Sequence, residues 1–461
     1  MEATPVCFLI VMTLLVLSLP RGYAIAPLLM TSVLMTIGPE IVIGPAKFTV
    51  MRLVVLAALV RVGTRGEGRD LVKGPIDRAI FWWALVTVIM WLIPLPRHPN
   101  AVMPIRTLGD QVMMSGRFVI DIVGMYYVSR CLIRNIDDIK FANKVLILLA
   151  LFLGTFMTIE KLTGRNLLAF LGAVPEFTVV RDGKFRCQGS FTHPIHAGTF
   201  GSTLVPFCLG MWLYGSGRPK LALLGIVAST LVMIESASSG PLISWVSGTL
   251  AITLWVVKAR MQLVRRLILL AFVVAELGMK GHAWWLIAKI SDVVGGGGYW
   301  RAKLIDEFVL HFSEWWLHGS NYTAHWSPTG VGLPLYPDHM DLTNQFVAEG
   351  VNGGLLKLIL FIVIIVACFK KAGRITNDGG VNREAQVVFW SMGCVIMAYI
   401  TSFIAVANSA QNSSIFFAMI AALAVDPEKS NIAMEEMNAK EEEELIHKSG
   451  LSLGHAQRTS G

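Results

Sequence analysis

Apolar runs long enough to cross a bilayer recur along almost the whole chain, and they constrain the fold more than any other feature. They fall near 6–20, 24–43, 46–60, 79–95, 108–133, 145–163, 196–214, 220–235, 240–257, 266–281, 352–369, 386–406 and 410–425. A bilayer's hydrocarbon core is about 30 Å thick and is crossed by roughly 20 helical residues, because every backbone N–H and C=O must be bonded within the segment. The pattern predicts an all-α fold, a polytopic transmembrane helix bundle of 12–13 spans. The lower number applies if one of the first three runs, which are short and crowded, is re-entrant or interfacial. Composition agrees: of 461 residues, 54% are hydrophobic and only 15% charged, where a soluble domain averages about 25% charged. A soluble enzyme, a disordered chain and a disulfide scaffold are excluded together. The runs show no period-two alternation, which argues against a β-barrel. Val6 to Pro20 lacks a basic leader and runs straight into more apolar sequence, so it reads as a span rather than a cleavable signal. Six cysteines occur without a C-x-x-C, so neither a disulfide framework nor a zinc–thiolate site is expected.

The formal charge of +8 would suggest nucleic acid on a soluble protein. On a membrane protein it reads first as the positive-inside rule, and no nucleic-acid partner is expected. Arg61, Arg65, Arg69, Lys73 and Arg78 form one basic loop, and Arg134, Lys140 and Lys144 the next. Arg218 and Lys220 follow, then Lys258, Arg260, Arg265 and Arg266, and finally Lys370, Lys371, Arg374 and Arg383. All fall on one side, which is assigned to the cytoplasm. The expected organisation is a single transmembrane bundle over 1–425 and a polar, acidic cytoplasmic tail over 426–461. Two long segments lie on the other side, 164–195 and 282–351. The second carries Trp284, Trp285, Trp300, Trp315, Trp316 and Trp326, and short interfacial helices are expected within it.

The positive-inside rule works against basic residues on the outer face, yet Arg181, Lys184, Arg186, Arg301 and Lys303 lie there. Arg186 sits in Phe185-Arg186-Cys187-Gln188-Gly189-Ser190-Phe191-Thr192-His193-Pro194, just before a span. Its guanidinium offers a bidentate fork for phosphate oxygens, or snorkels at the headgroup level. Gly295 to Gly298 precede Arg301 and form either an anion-binding nest or a plain linker. His339 lies between Asp338 and Asp341, ahead of Asn344. The flanking carboxylates would keep it basic and orient its ring as a general base, unless it is simply a satisfied interfacial histidine. Glu235 to Gly240 reads as a simple outer turn. Asp110, Arg117 and Asp121, at helical spacing, are expected to pair inside the bundle. His193 and His196 lack a third ligand, so no metal is expected.

These stretches, in this order and with this spacing, resemble the O-antigen ligase and O-antigen polymerase superfamily of bacterial inner-membrane glycosyltransferases. Arg186-x-x-Gly189-x-Phe191-x-His193-Pro194 before a span, Arg301 in the large outer loop, and His339 ahead of Gly350, Gly353 and Gly354 carry the resemblance, which covers roughly 140–425. It implies transfer of an undecaprenyl-pyrophosphate-linked glycan, on the periplasmic face, to an acceptor hydroxyl on a glycan or lipid core. Arg186 and Arg301 would hold the pyrophosphate, and His339 would activate or place the acceptor. Lys303, Asp338 and His193 would support them. The transfer would be inverting and need neither metal nor other cofactor. The chain departs from the family pattern at Ile195 and Met340, where many members have Asn, which touches the acceptor class more than the reaction. The competing expectations are a transporter or flippase of lipid-linked glycans, and a membrane scaffold for polysaccharide assembly proteins.

Overall fold

The computed structural model describes residues 3–427, apart from 36–37, 45, 96, 105, 173, 216, 218, 295, 328, 331 and 335. The acidic tail, from residue 428 onward, and Gly295 therefore lie outside the described residues. The chain is mostly α-helical. Among the described residues three helices are long and apolar enough to cross a membrane, Pro75–Leu92, Ile136–Thr163 and Arg383–Ala405, and Thr4–Ser18 and Ala410–Leu423 are shorter apolar helices.

The N-terminal third departs from the expected run of spans. Helices α1 (Ala3–Ser18) and α2 (Ile25–Leu34) form, but the apolar run expected to continue to 43 stops being helical at Leu34. Glu40–Ile43 (β1) instead pairs antiparallel with Ala46–Thr49 (β2), Glu40 opposite Thr49, around Gly44 at φ 59°. Pro39 cannot donate to a helix, and Ile41-Val42-Ile43 are β-branched, so the extended chain wins. Thr49 then caps α3 (Val50–Arg65) by accepting from the Arg52 amide, and left-handed Gly66 ends it.

Helix α4 (Pro75–Leu92) is followed by α5 (Leu108–Phe118), a π-helical stretch Val119–Gly124, and α6 (Met125–Leu132). The expected pairing of Asp110, Arg117 and Asp121 with one another does not occur. Asp110 caps its own helix, accepting from the Thr107 amide at 2.9 Å and hydroxyl at 2.7 Å. Asp121 instead accepts two hydrogen bonds from Arg52 of α3, at 2.8 and 2.6 Å. It lies in the π-helical stretch, where i→i+5 bonding breaks the helical spacing on which pairing within the helix depends.

Beyond α7 (Ile136–Thr163), the 164–195 segment folds as a hairpin of β3 (Val179–Arg181) and β4 (Lys184–Arg186). Helices α8 (Pro194–Tyr214), α9 (Pro219–Glu235) and α10 (Ser239–Thr253) follow. Helix α8 packs against its neighbours through small residues. At Gly201 a Cβ would lie 2.5 Å from the Ser229 carbonyl oxygen, so only glycine permits that approach of α9. Helix α11 (Met261–Gly278) has no buried residue. The 282–351 segment holds α12 (Leu286–Val294), α13 (Gly298–Leu310), α14 (Phe312–Trp315) and α15 (Gln345–Val351). The expected short helices are therefore present, but their tryptophans divide. Trp300 and Trp316 are exposed, whereas Trp315 and Trp326 are buried with Leu304, Phe308, Val347 and Val351 in a core of their own. The described residues close with α16 (Gly354–Asn377), α17 (Arg383–Ala405) and α18 (Ala410–Leu423).

Candidate functional site

The β3–β4 hairpin turns through Asp182 and Gly183, both at positive φ (52° and 70°). Asp-Gly between two extended runs is the pairing a type I′ hairpin needs, and it is the signal by which the sequence could have announced this hairpin. The hairpin delivers Arg186 at its last residue. Two residues on, the chain is clamped: the buried Glu160 carboxylate, in the last turn of α7, accepts the Gln188 amide at 3.2 Å and the Gly189 amide at 2.9 Å. Asn166 donates to the Gly189 carbonyl at 2.7 Å, and the Cys187 amide donates to the Glu235 carbonyl at 3.1 Å. This clamp fixes where Arg186 can reach.

Arg186 Nη2 donates to Ser238 Oγ at 2.8 Å. Ser238 is the residue immediately before α10, so the stretch expected to be a simple outer turn is the landing point of the first arginine. Ala237 within it is held at φ 43°, an uncommon backbone for a residue with a Cβ. Arg301, in the first turn of α13, reaches the same place. Its Nε donates to the Ala405 carbonyl at the end of α17 at 3.0 Å, and its Nη2 lies 3.9 Å from where a Cβ on Gly240 would be. The glycine run closes the gap: a Cβ on Gly296 would collide with Ser239 Oγ. Two arginines distant in sequence thus converge on the N-terminus of one fifteen-residue helix, whose unpaired amides and dipole favour negative charge.

The electrostatics of this cluster are strained. Burial first, and the Arg181 guanidinium second, push both Arg186 and Arg301 below the usual arginine range. Burial and Arg186 likewise hold His193, the N-cap of α8, below its ordinary value. Like charges held together in this way favour a multivalent anion, whose binding relieves the repulsion.

His339 belongs to a second cluster. The expectation that flanking carboxylates keep it basic is not met. Asp338 is buried and turns its carboxylate away, accepting the Val102 and Met103 amides at 2.8 and 2.9 Å. Burial and then Arg106 lower the His339 pKa, and Asp338 opposes them only in part. Arg106 carried no sequence signal, since it lies in a separate loop between α4 and α5. Lys303 also turns aside: it pairs with Glu307 at 2.7 Å, and that hydrogen bond raises its pKa.

The two clusters share one anchor, the connection between α17 and α18. Arg301 bonds to the Ala405 carbonyl, while the Gln345 side-chain oxygen accepts the Asn408 amide at 2.8 Å, six residues after His339. A third group went unnoticed in the sequence, although His311 and Glu314 have the i, i+3 spacing that places two side chains on one helical face. His311, Glu314 and His325 offer ligand atoms that all lie within 4.8 Å of one another. Compared with models of known protein families and with curated proteins, the chain matches none.

Proposed function

We propose that the chain is a polytopic glycosyltransferase of the bacterial inner membrane, of the O-antigen ligase or polysaccharide polymerase type. It would transfer an undecaprenyl-pyrophosphate-linked glycan to an acceptor hydroxyl on the periplasmic face. The observation that carries this reading is the convergence of Arg186 and Arg301 on the N-terminus of α10. Such an arrangement suits a pyrophosphate, which gains negative charge as the glycosidic bond to it breaks. Donors fixed in advance where charge develops are among the largest catalytic contributions an enzyme makes. In the proposed step the acceptor oxygen attacks the anomeric carbon from the face opposite the pyrophosphate. The new C–O bond forms as the old one breaks, with inversion. The acceptor proton passes to the neutral imidazole of His339, and the bonding electrons leave with the pyrophosphate. The depressed pKa of His339 supports that role, because the ring is then unprotonated at neutral pH.

The three long apolar helices, together with the shorter apolar ones, would form the membrane bundle. The exposed apolar surface of α11 would face lipid or the polyprenyl chain. The test is reconstitution of the purified chain in liposomes with a lipid-linked oligosaccharide and an acceptor glycan. A new glycosidic bond in the wild type, absent in Arg186→Ala and Arg301→Ala, supports the reading. Movement of the lipid-linked sugar across the bilayer with no new bond would make the chain a flippase instead.

A further inference from the structure

The outer segment holds a second cluster of chemistry-bearing side chains, separate from the arginines. His311 follows the last turn of α13, Glu314 lies in α14, and His325 sits in the turn Ala324–Trp326. His311 Nδ1 lies 2.7 Å from Glu314 Oε1, and His325 Nε2 lies 3.0 Å from Glu314 Oε2. Trp326 Nε1 donates to the same carboxylate at 3.1 Å. Burial pushes the Glu314 carboxyl up, but the hydrogen bonds from His325, Trp326 and His311 outweigh it and hold the group ionised. The other nitrogen of His311, Nε2, faces Glu307 at 3.4 Å. A carboxylate behind a ligating imidazole is the arrangement that orients metal-bound histidines. The His98 ring stacks on His325, with centroids 5.4 Å apart, and shields one side.

We propose that His311, Glu314 and His325 bind one divalent transition-metal ion, Zn2+ being the best match, as a latch within the outer segment. Two imidazoles and one carboxylate suit borderline ions and disfavour Mg2+ and Ca2+, which take oxygen ligands. A tetrahedral ion with bonds of about 2.0–2.1 Å spaces its ligand atoms roughly 3.4 Å apart. The three groups need to open only slightly to admit it. Charge favours the ion as well: Lys303 pairs with Glu307, while the ion pairs of Glu314 among the described residues are with His311 and His325 alone. Three protein ligands leave a fourth position for water.

The placement gives the latch a purpose. Helix α13 begins next to Arg301 and ends at His311. His325 adjoins Thr323 and Ala324, whose amides both donate to the Asp338 carbonyl, at 2.8 and 3.1 Å. The Met340 amide returns a hydrogen bond to Thr323 Oγ1 at 3.0 Å. An ion at the cluster ties the element that presents Arg301 to the segment that presents His339, reinforcing the apolar core of Leu304, Phe308, Trp315, Trp326, Val347 and Val351 that already joins them. Metal binding itself does not depend on the glycosyltransferase reading; only the purpose of the latch does.

The test uses the full-length protein in detergent, free of any histidine tag, stripped with chelator and dialysed against Zn2+, with bound metal measured by mass spectrometry. The wild type is expected to hold close to one Zn2+ per chain. His311→Ala, His325→Ala and Glu314→Gln should each weaken binding by at least tenfold. His282→Ala removes a histidine paired with Glu276 elsewhere and should leave the stoichiometry unchanged. Failure of the wild type to retain Zn2+, or retention undiminished in the His311→Ala/His325→Ala double variant, overturns the proposal. Should the variants not fold, Co2+ loading of the wild type decides. Visible absorption of a tetrahedral site with two nitrogen ligands supports the latch, and its absence refutes it. Glycan transfer is not needed for either readout, so failure of the latch and failure of the proposed function are told apart.

Discussion

Arg186 and Arg301 meet at one place, the first turn of α10: Arg186 bonds to Ser238, and Arg301 Nη2 lies beside Gly240. Among the described residues Arg186 donates to Ser238 Oγ and Arg301 to the Ala405 carbonyl, and under the proposed function their remaining N–H groups would be offered to the pyrophosphate. Removing either is expected to lower the transfer rate about 10²–10³-fold, as for loss of one preorganised donor at a developing charge. If both serve one anion, as proposed, the double variant should fall well short of the product of the two single effects. Steady-state rates with a fixed lipid-linked donor measure this, and full additivity would separate the two arginines into independent sites. As the proposed base, His339 would set the pH dependence. Its pKa lies below the ordinary 6.5, through burial and then Arg106. The ring is then unprotonated at neutral pH, and in the proposed mechanism activity would fall only as pH drops through that lowered value. Arg106→Gln removes one depressing charge, so the acidic limb of the rate profile should move to higher pH. An unmoved limb would detach Arg106 from the proposed base.

At the level of elements, the hairpin β3–β4 is aimed by a single carboxylate. Glu160 accepts the amides of Gln188 and Gly189 and the Thr178 hydroxyl. Glu160→Ala strands two buried amides at a cost of about 1–3 kcal/mol each, and frees the strand two residues from Arg186. A lower melting temperature in detergent is expected, with faster proteolysis near 176–190 and loss of transfer. Glu160→Gln keeps one carbonyl acceptor and should lie between. This clamp also marks how far the sequence could be read. Arg186 and Arg301 were legible because, on the expected topology, a permanent charge there opposes the positive-inside rule. Their meeting point was not, since Ser238 lies 52 positions from Arg186 and carries no pattern of its own. The helices α7 and α17 were legible from apolar length alone. The 24–43 run was misread because hydropathy counts Ile41-Val42-Ile43 as span, although their β-branching and Pro39 favour a strand. Asp338 was misread for a related reason: adjacency in sequence says nothing of where a carboxylate turns, and the Val102 and Met103 amides claim it.

Across the whole molecule the two ends differ in kind. Helix α4 runs from the loop at 66–74 to the loop at 97–107. At the first end Arg65, Lys73, Arg130, Arg134, Lys370 and Arg374 line a cavity of about 1040 Å³. At the second, Asp338 holds Val102 and Met103, and the loops bearing Arg301 and His339 meet the α17–α18 connection. If the first end faces the cytoplasm, its positive charge is what orientation in a membrane requires; at the second end it would need another purpose, which the proposed anionic substrate would supply. The orientation can be tested directly with single cysteines. Of the six native cysteines only Cys7 is exposed, so Cys7→Ser gives a quiet background. Lys184 and Thr329 are exposed on the arginine-bearing side, Arg69 and Asn377 on the other. In intact spheroplasts an impermeant maleimide should label Lys184→Cys and Thr329→Cys at once. Arg69→Cys and Asn377→Cys should react only after permeabilisation. The reverse pattern would put Arg186 and Arg301 in the cytoplasm, where the basic residues need no ligand to account for them, and the assignment of a periplasmic transferase would fail with it.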